Sequence, residues 1–122
     1  MEESLKIRQD ERGKLVEVFK VPEFGQVFFS VSKPGITRGN HYHKRKVEKF
    51  CVIEGEAEIN LRNRKTGELK KYSVSGDKPQ IVPIPVNHIH NIINTGDSEM
   101  KLLVWANEIF DPEDSDTFSE EV

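Results

Sequence analysis

The sequence predicts an all-β fold, a sandwich or barrel of eight or more short strands. Strand-like runs rich in Val, Ile, Phe and Tyr recur at close spacing, and turn residues separate them. No segment before residue 107 has the 3.6-residue apolar period of a helix. Many short strands joined by tight turns are typical of closed or two-sheet β architectures.

The strands follow in order along the chain, and the clearest alternation lies near the middle. Ala57, Ile59 and Leu61 alternate with polar neighbours, which predicts one buried and one exposed face. The predicted strands cover residues 14–19, 26–32, 48–55, 56–63, 69–74, 80–85, 90–95 and 101–107. The acidic end, with Pro112, is expected to form a turn of helix or a loop laid across the barrel.

Length and composition indicate a single domain over residues 1–122. The first residues, "MEESLKIRQDERG", lack the apolar segment of a signal peptide, and no apolar run approaches the roughly 20 residues of a membrane span. Cys51 is the single cysteine, so no internal disulfide framework is possible. We therefore expect a cytoplasmic protein without membrane contact.

The net charge of −3 is unevenly distributed. Residues 108–122 hold seven acidic and no basic residues, whereas the rest of the chain holds 18 basic and 14 acidic residues. The body is therefore mildly basic, which suits a phosphorylated small molecule. It lacks the dense basic stripe of a nucleic-acid-binding protein, so no nucleic-acid partner is expected.

All four histidines fall into two His-x-His pairs, His41 with His43 and His88 with His90. Residues two apart on a strand point to the same face, so each pair is expected to share a face. Glu48 then begins the next predicted strand, and its side chain is expected to point inward. His41, His43, Glu48 and His90 would meet in one cavity and bind Zn²⁺, or alternatively Fe²⁺, Mn²⁺ or Ni²⁺.

The spacing of these residues resembles the two sequence motifs of the cupin superfamily. Gly35, five residues, His41-x-His43, four residues, Glu48, six residues and Gly55 match the first motif in full. Pro85-x-Asn87, two residues, His90, three residues and Asn94 resemble the second. Asn87 stands where the superfamily usually has Gly, and Asn also tolerates a left-handed backbone. Gly76 lies further upstream of Pro85 than usual, which predicts a longer loop. The resemblance implies a cupin β-barrel, a jelly roll or double-stranded β-helix, with a short C-terminal extension.

Nearly the whole chain is also similar to the C-terminal cupin domain of the bifunctional CapF-type capsule-sugar enzymes. The similar segments are "DERGKLVEVF", "SKPGITRGNHYHKRKVEKF", "YSVSGDKPQIVPIP" and "WANEIFDPEDSDTF". This resemblance implies a zinc-dependent epimerase that acts at C3 of a UDP-linked 4-keto-6-deoxy-HexNAc in polysaccharide biosynthesis. In that family a separate N-terminal domain reduces C4, so a separate reductase is a possible partner here.

The segment "RGNHYHK" is also similar to dTDP-4-keto-sugar epimerases and ketoisomerases, which implies His41 as a metal-free base. If His41, His43, Glu48 and His90 bind a metal, His88 is expected to be the base, with Lys46 and Tyr42 as further candidates. Arg38 and Asn40 are expected to bind substrate, Arg38 through its phosphates. Three alternatives stay open: a dTDP-4-keto-sugar isomerase, a metal-dependent oxygenase, and a non-catalytic metal-binding cupin that senses a sugar or serves a separate reductase.

We also expect a homodimer, because a small strand-rich domain has open sheet edges. Trp105, in "LLVWAN", is expected in the core or in the dimer interface. Phe110 and Phe118 are candidates to anchor the tail on a partner subunit.

Overall fold

Eleven strands and no helix form within residues 2–122, the part of the chain that this computed structural model describes. The strands are β1 Ile7–Asp10, β2 Gly13–Val21, β3 Gly25–Ser32, β4 Thr37–Tyr42, β5 Glu48–Glu54, β6 Glu56–Asn63, β7 Leu69–Ser75, β8 Ile81–Ile84, β9 His88–Asn94, β10 Met100–Ala106 and β11 Phe118–Ser119. Each of the eight predicted strand-like runs coincides with one of them, and β1, β4 and β11 complete the set. Over residues 2–122, no helix long and apolar enough to cross a membrane is found.

Two antiparallel sheets pack face to face. One has six strands in the order β1-β2-β3-β10-β5-β8, and the other has five in the order β11-β4-β9-β6-β7. Apolar side chains from both sheets fill the space between them, including Phe50, Val52 and Leu102. The predicted alternation along β6 is confirmed, since Ala57, Ile59 and Leu61 are all at most 3% exposed. The all-β jelly roll expected from the sequence is therefore the observed fold.

An irregularity in β4 sets the position of the first histidine pair. The pairing of β4 with β9 shifts register between Gly39 and His41, and the residue between them, Asn40, has a φ of 57°. His41 consequently lies directly opposite His90 of β9. A side chain at Gly39 would lie 2.8 Å from the carbonyl oxygen of His90, so the two strands approach closely only because this residue is glycine.

The turn before β9 adopts the conformation expected of the second motif. Asn87 has a φ of 56°, the left-handed region in which Gly or Asn is favoured. Its N–H donates to the carbonyl oxygen of His43 at 2.7 Å, and its carbonyl accepts from the N–H of Arg64 at 3.0 Å. The turn therefore ties the start of β9 to the end of β4.

The acidic tail forms a loop that ends in a short strand, and not a turn of helix. Phe118 and Ser119, in β11, pair with Tyr42 and His41 of β4 in the same chain. The ring of Phe118 stacks on the ring of Tyr42 at a centroid distance of 5.2 Å. The tail thus extends the five-stranded sheet of its own barrel.

Candidate metal centre

The four predicted ligands come together in the interior of the barrel. One possible ligand atom from each of His41, His43, Glu48 and His90 lies within 4.8 Å of all the others. The ring centroids of His41 and His90 are 4.7 Å apart, and those of His41 and His43 are 5.1 Å apart. Three imidazoles and one carboxylate at this spacing form a donor set suited to a borderline divalent cation.

The four side chains come from three strands, β4, β5 and β9, and from the residue that follows β4. His41 and His90 are cross-strand partners in β4 and β9, whereas His43 lies one residue beyond the end of β4. Glu48 is the first residue of β5, and Phe50, two residues on, is buried in the core as its inward direction requires. The two-residue spacing in the sequence therefore predicted that His41 and His43 lie on one side of the barrel wall, together with Glu48 and His90.

Backbone carbonyls fix the orientation of two rings. Nδ1 of His43 lies 2.7 Å from the carbonyl oxygen of Asp116, and Nδ1 of His90 lies 3.0 Å from that of His88. A carbonyl only accepts hydrogen bonds, so in each ring Nδ1 carries the hydrogen, and the Nε2 of a neutral ring presents a lone pair. Histidines that bind metals are commonly oriented in this way by their second nitrogen.

Both Nε2 atoms face the same carboxylate oxygen. Oε1 of Glu48 lies 2.9 Å from Nε2 of His43 and 3.3 Å from Nε2 of His90. The second contact lacks the geometry of a hydrogen bond, so Nε2 of His90 is a buried polar atom without a partner among the described residues. A buried nitrogen lone pair facing an anionic oxygen is costly, and a cation between them would satisfy both. The residues present therefore fit a divalent metal ion.

The electrostatics of the cluster keep the carboxylate charged. Burial alone would raise the pKa of Glu48, but its contacts with His43 and His90 outweigh burial and hold the pKa well below its usual range. Burial, together with the neighbouring imidazoles, lowers the pKa of His41 to about 4. Burial also opposes the charged form of His43, but the bond to Glu48 raises its pKa overall. Glu48 would thus offer an anionic oxygen to a cation at neutral pH.

The cluster opens into a cavity of about 260 Å³. His41, Glu48 and His90 line it together with apolar side chains and two arginines, Arg12 and Arg38. The Arg38 side chain is held in place because Nε donates to Ser32 Oγ at 2.8 Å and a terminal nitrogen donates to the carbonyl of Val31 at 3.2 Å. Burial and then the nearby charge of Arg12 lower the pKa of Arg38, so a bound anion would relieve both effects. Arg38 thus lines the cavity, and its binding of substrate phosphates stays a prediction.

His88 does not line this cavity. Nδ1 of His88 lies 2.9 Å from the carbonyl oxygen of Val86, and the side chain lines a different cavity of about 240 Å³. Tyr72, Pro83 and Pro85 are among the other residues of that cavity. Strand alternation put His88 on the face of His90, but at the first residue of β9 the ring turns toward β7 and β8. Its role as the base stays a prediction without support from this placement.

Tyr42, Lys46 and Asn40 also lie outside the metal cavity. Tyr42 packs between Phe118 and the guanidinium of Arg64, whose central carbon lies 3.9 Å from the Tyr42 ring centroid. Lys46 is buried with its ammonium 5.4 Å from the ring centroid of Phe110, although its charge adds to burial in lowering the pKa of His41. Their catalytic roles stay predictions.

Asn40 binds the tail on the outside of the barrel. Its side-chain oxygen accepts hydrogen bonds from Asn91 at 3.1 Å and from the N–H of Val122 at 3.2 Å. Its left-handed φ explains the choice of Asn at the bulge in β4. Asn40 does not line the cavity, so its contact with substrate stays a prediction.

Two residues at the site were not predicted from the sequence. Arg12 lies in the segment "DERG", and no spacing between residues there indicates that it lies beside the histidines. Asp116 lies in the acidic tail, and its contact with His43 is made by a backbone carbonyl, which every residue has. A pattern of residue types does not reveal such a contact.

A model of the polysaccharide biosynthesis C-terminal domain family matches residues 8–118. The chain belongs to this family. Over 113 residues it is 42% identical to the UDP-2-acetamido-2,6-beta-L-arabino-hexul-4-ose reductase of Pseudomonas aeruginosa, covering 93% of the chain and 30% of that relative. The chain thus spans about a third of the length of this relative.

Solved structures agree with the assignment to this family. The capsular polysaccharide assembling protein CapF of Staphylococcus aureus matches with a TM-score of 0.95 and 47% identity, over 98% of this chain and 35% of that one. The dTDP-6-deoxy-D-glucose-3,5-epimerase RmlC of Legionella pneumophila, in complex with dTDP-4-keto-L-rhamnose, matches with a TM-score of 0.66 and 25% identity. That match covers 94% of this chain and 69% of the epimerase. The predicted resemblance to CapF-type cupins is confirmed, and the fold is a cupin jelly roll.

Proposed function

We propose that this domain is a metal-dependent nucleotide-sugar 3-epimerase acting on a UDP-linked 4-keto-6-deoxy-HexNAc in capsule or other surface polysaccharide biosynthesis. The similar Pseudomonas protein is named for a UDP-linked hexul-4-ose, and the similar Legionella structure holds a dTDP-linked 4-keto sugar. A 4-keto group acidifies the hydrogen on C3, and removal and return of that hydrogen inverts the carbon. The proposed class of reaction follows from that shared chemistry.

The observation that carries this proposal is the position of the ligand cluster in the cavity. His41, Glu48 and His90 line the same cavity as Arg12 and Arg38. A sugar ring at the cluster would leave its diphosphate to pair with Arg38, since Arg12 is already bonded to Asp10 at 2.7 Å. Phe28 and Ile92 are among the apolar side chains of the lining, and charge interactions are stronger beside such a surface than in water.

His41, His43, Glu48 and His90 would hold the cation, with zinc as the first expectation and Fe²⁺, Mn²⁺ or Ni²⁺ as alternatives. A divalent cation bound there would supply Lewis acidity toward a carbonyl oxygen. Asp116 and the carbonyl of His88 orient two of the ligands, and Arg38 binds the phosphates. His88, Lys46 and Tyr42 stay candidate bases, each of which has to reach the substrate from outside the cavity lining.

A second candidate function uses His41 as the base without a metal, as the resemblance to dTDP-4-keto-sugar isomerases implies. One observation favours it. The His41 ring lines the cavity and forms no hydrogen bond with any of residues 2–122, so a ring nitrogen is free to accept a proton. The pKa of His41, lowered to about 4 mainly by burial, makes it a weak base, so this mechanism needs the bound substrate to raise that pKa.

One experiment tests the proposal and separates the two candidates. The protein is incubated in deuterated water with UDP- and dTDP-linked 4-keto-6-deoxy sugars, and deuterium at C3 is followed by NMR. The metal-dependent epimerase exchanges C3 of the UDP-linked HexNAc, and loses exchange after EDTA treatment and recovers it with zinc. Exchange that survives complete metal removal supports the His41 mechanism, and no exchange with any substrate contradicts both.

The proposal also names partners. The similar Pseudomonas protein is named as a reductase of a UDP-linked hexul-4-ose, so we propose that a reductase consumes the epimerised 4-keto product. We further propose a homodimer. A cytoplasmic location, suggested by the single cysteine, is part of the same proposal.

A further inference from the structure

Asp116 in the C-terminal tail contacts the metal centre although it lies outside both sequence motifs. It is 7% exposed and has a φ of 49°, in the left-handed region. A left-handed conformation costs an Asp some free energy, and it persists where other contacts of the residue offset that cost. The side chain and the backbone of Asp116 both make such contacts.

The side chain of Asp116 binds three successive backbone N–H groups. Oδ1 accepts from Lys44 at 3.0 Å, while Oδ2 accepts from Arg45 at 2.8 Å and from Lys46 at 2.7 Å. These three residues belong to the short connection between the ligands His43 and Glu48. The carboxylate therefore fixes the shape of the loop that sets the distance between two ligands.

The backbone of Asp116 binds one of those ligands directly. Its carbonyl oxygen accepts the hydrogen of His43 Nδ1 at 2.7 Å. This bond fixes the ring tautomer, so that Nε2 of His43 faces Glu48. One residue thus sets both the loop between the ligands and the orientation of the first ligand.

The tail holds Asp116 in place from both sides. On its C-terminal side, β11 pairs with β4 through Phe118 and Tyr42. On its N-terminal side, the guanidinium of Arg45 contacts Glu108 at 2.7 Å and Asp114 at 3.3 Å. The contacts of Asp116 are therefore built into the fold rather than made by a free end.

We propose that Asp116 is a positioning residue of the metal centre, and that the C-terminal segment 108–119 is a structural part of that centre. The proposal rests on the metal site of the proposed function. It predicts that the tail governs how tightly a divalent cation is bound, and not only how stable the barrel is. Groups that orient metal ligands typically change metal affinity by about 10- to 100-fold when they are removed.

The test compares zinc affinity in three proteins by competition with a chromophoric chelator. Asp116→Gly keeps the backbone carbonyl and tolerates the left-handed φ, but removes the carboxylate from the three N–H groups. We expect zinc affinity to fall about 10- to 100-fold. The matched control is Asp97→Gly, the same change at an exposed Asp in the turn between β9 and β10, outside the tail, which we expect to stay within about threefold of the wild type. Equal affinity in wild type and Asp116→Gly would overturn the proposal.

A second readout separates positioning from general stability. Long-range ¹H–¹⁵N NMR of the histidine rings in the metal-free protein is expected to report hydrogen on Nδ1 of His43 in the wild type. In Asp116→Gly the carbonyl is kept but is no longer anchored beside His43 by the carboxylate. At an alkaline pH, where the rings are neutral, we therefore expect a mixture of tautomers for His43 and an unchanged signal for His90, whose carbonyl partner is His88. A single unchanged His43 tautomer would count against positioning. Asp116→Asn, which also tolerates this φ, replaces the Gly variant if that variant does not fold.

These measurements also distinguish failure of this proposal from failure of the proposed function. A wild-type protein that binds zinc tightly but shows no C3 exchange contradicts the epimerase and leaves the role of Asp116 intact. A wild-type protein that exchanges C3, with zinc affinity and tautomer unaffected in both Asp116 variants, contradicts only the role of Asp116.

Discussion

His90 Nε2 lies 3.3 Å from Glu48 Oε1, and yet no hydrogen bond joins the two buried atoms. Because Nδ1 of the same ring is committed to the carbonyl of His88, a neutral His90 turns a lone pair toward an anionic oxygen. A protein rarely leaves a buried polar atom in this state without a further group between the two. This relationship is the physical reason for expecting a cation at the centre of the cluster.

The first prediction is that the purified protein carries about one zinc ion per chain, because the described residues place one cluster of four possible ligands together. His41→Ala and His90→Ala should each abolish retention through gel filtration, because a three-ligand remainder binds far more weakly. Metal content is measured by inductively coupled plasma mass spectrometry. Full occupancy in a His41→Ala, His43→Ala double variant would rule out this site.

The second prediction concerns His88, the histidine that lines a separate cavity. His88→Ala should keep zinc, since its ring does not line the metal cavity. If His88 is the base, as the sequence predicts, the variant should lose about 100-fold or more of its C3 deuterium exchange, the usual effect of a missing general base. His41→Ala is measured under the same conditions, and exchange in His88→Ala within about threefold of the wild type would remove His88 from the candidate bases.

The sequence predicted the strands and the four clustered side chains because both follow from the two-residue period of a β-strand. Alternation predicts that His41, Glu48 and His90 point into the barrel. Phe50 and Ile92, two residues after Glu48 and His90, are buried as that direction requires. His88 did not follow the same rule because its ring is held at the turn before β9: Nδ1 lies 2.9 Å from the carbonyl oxygen of Val86, and the side chain lines a different cavity. Contacts such as the one from Asp116 depend on the path of the tail, which alternation does not determine.

The third prediction is a pH dependence of stability in the metal-free protein. Burial and neighbouring imidazoles lower the pKa of His41 to about 4, whereas an unfolded histidine titrates near ~6.5. Between these values the unfolded chain binds a proton that the folded chain does not, so the free energy of unfolding falls as pH falls from about 6.5 to about 4.

Urea unfolding in EDTA, for wild type and His41→Gln, isolates this contribution. As the pH is lowered from about 6.5 to about 4, the free energy of unfolding should fall more for the wild type than for His41→Gln. Because His43 and Glu48 titrate in both proteins, their effects are largely common to the pair. A constant difference across the window would contradict the lowered pKa of His41.

The fourth prediction concerns the turn at Asn87, where φ is 56°. Asn87→Ala should lower the free energy of unfolding by about 1–2 kcal/mol, because a Cβ-bearing residue without a local polar side chain is strained in this region. Asn87→Gly, which removes that strain, is the matched control and should cost less than the Ala variant. Both are measured by urea denaturation, and equal losses would show that the backbone conformation is not the cause.

The expected homodimer has a candidate surface on the outer face of the six-stranded sheet. Leu103 is 37% exposed there and lies opposite Phe29 and Cys51 in the neighbouring strands. Cross-strand partners share a face, so an apolar row runs across all six strands. Its members are Ile7, Val16, Phe29, Leu103, Cys51 and Ile81. An exposed apolar row of this extent is typical of a surface that packs against another molecule.

The last prediction is that this row, and not the tail, forms the dimer interface with a second copy of the chain. The tail already pairs with its own β4, whereas Leu103 and Ile81 in the row are 37% and 66% exposed. Light scattering at micromolar concentration should report a dimer for the wild type and a monomer for Leu103→Lys, because two facing copies would bury the new charges without partners. Leu69→Lys is the matched control: Leu69 is 65% exposed on β7, the edge strand of the other sheet, and the variant should stay dimeric. A wild-type monomer, or a dimer that survives Leu103→Lys, would contradict this interface.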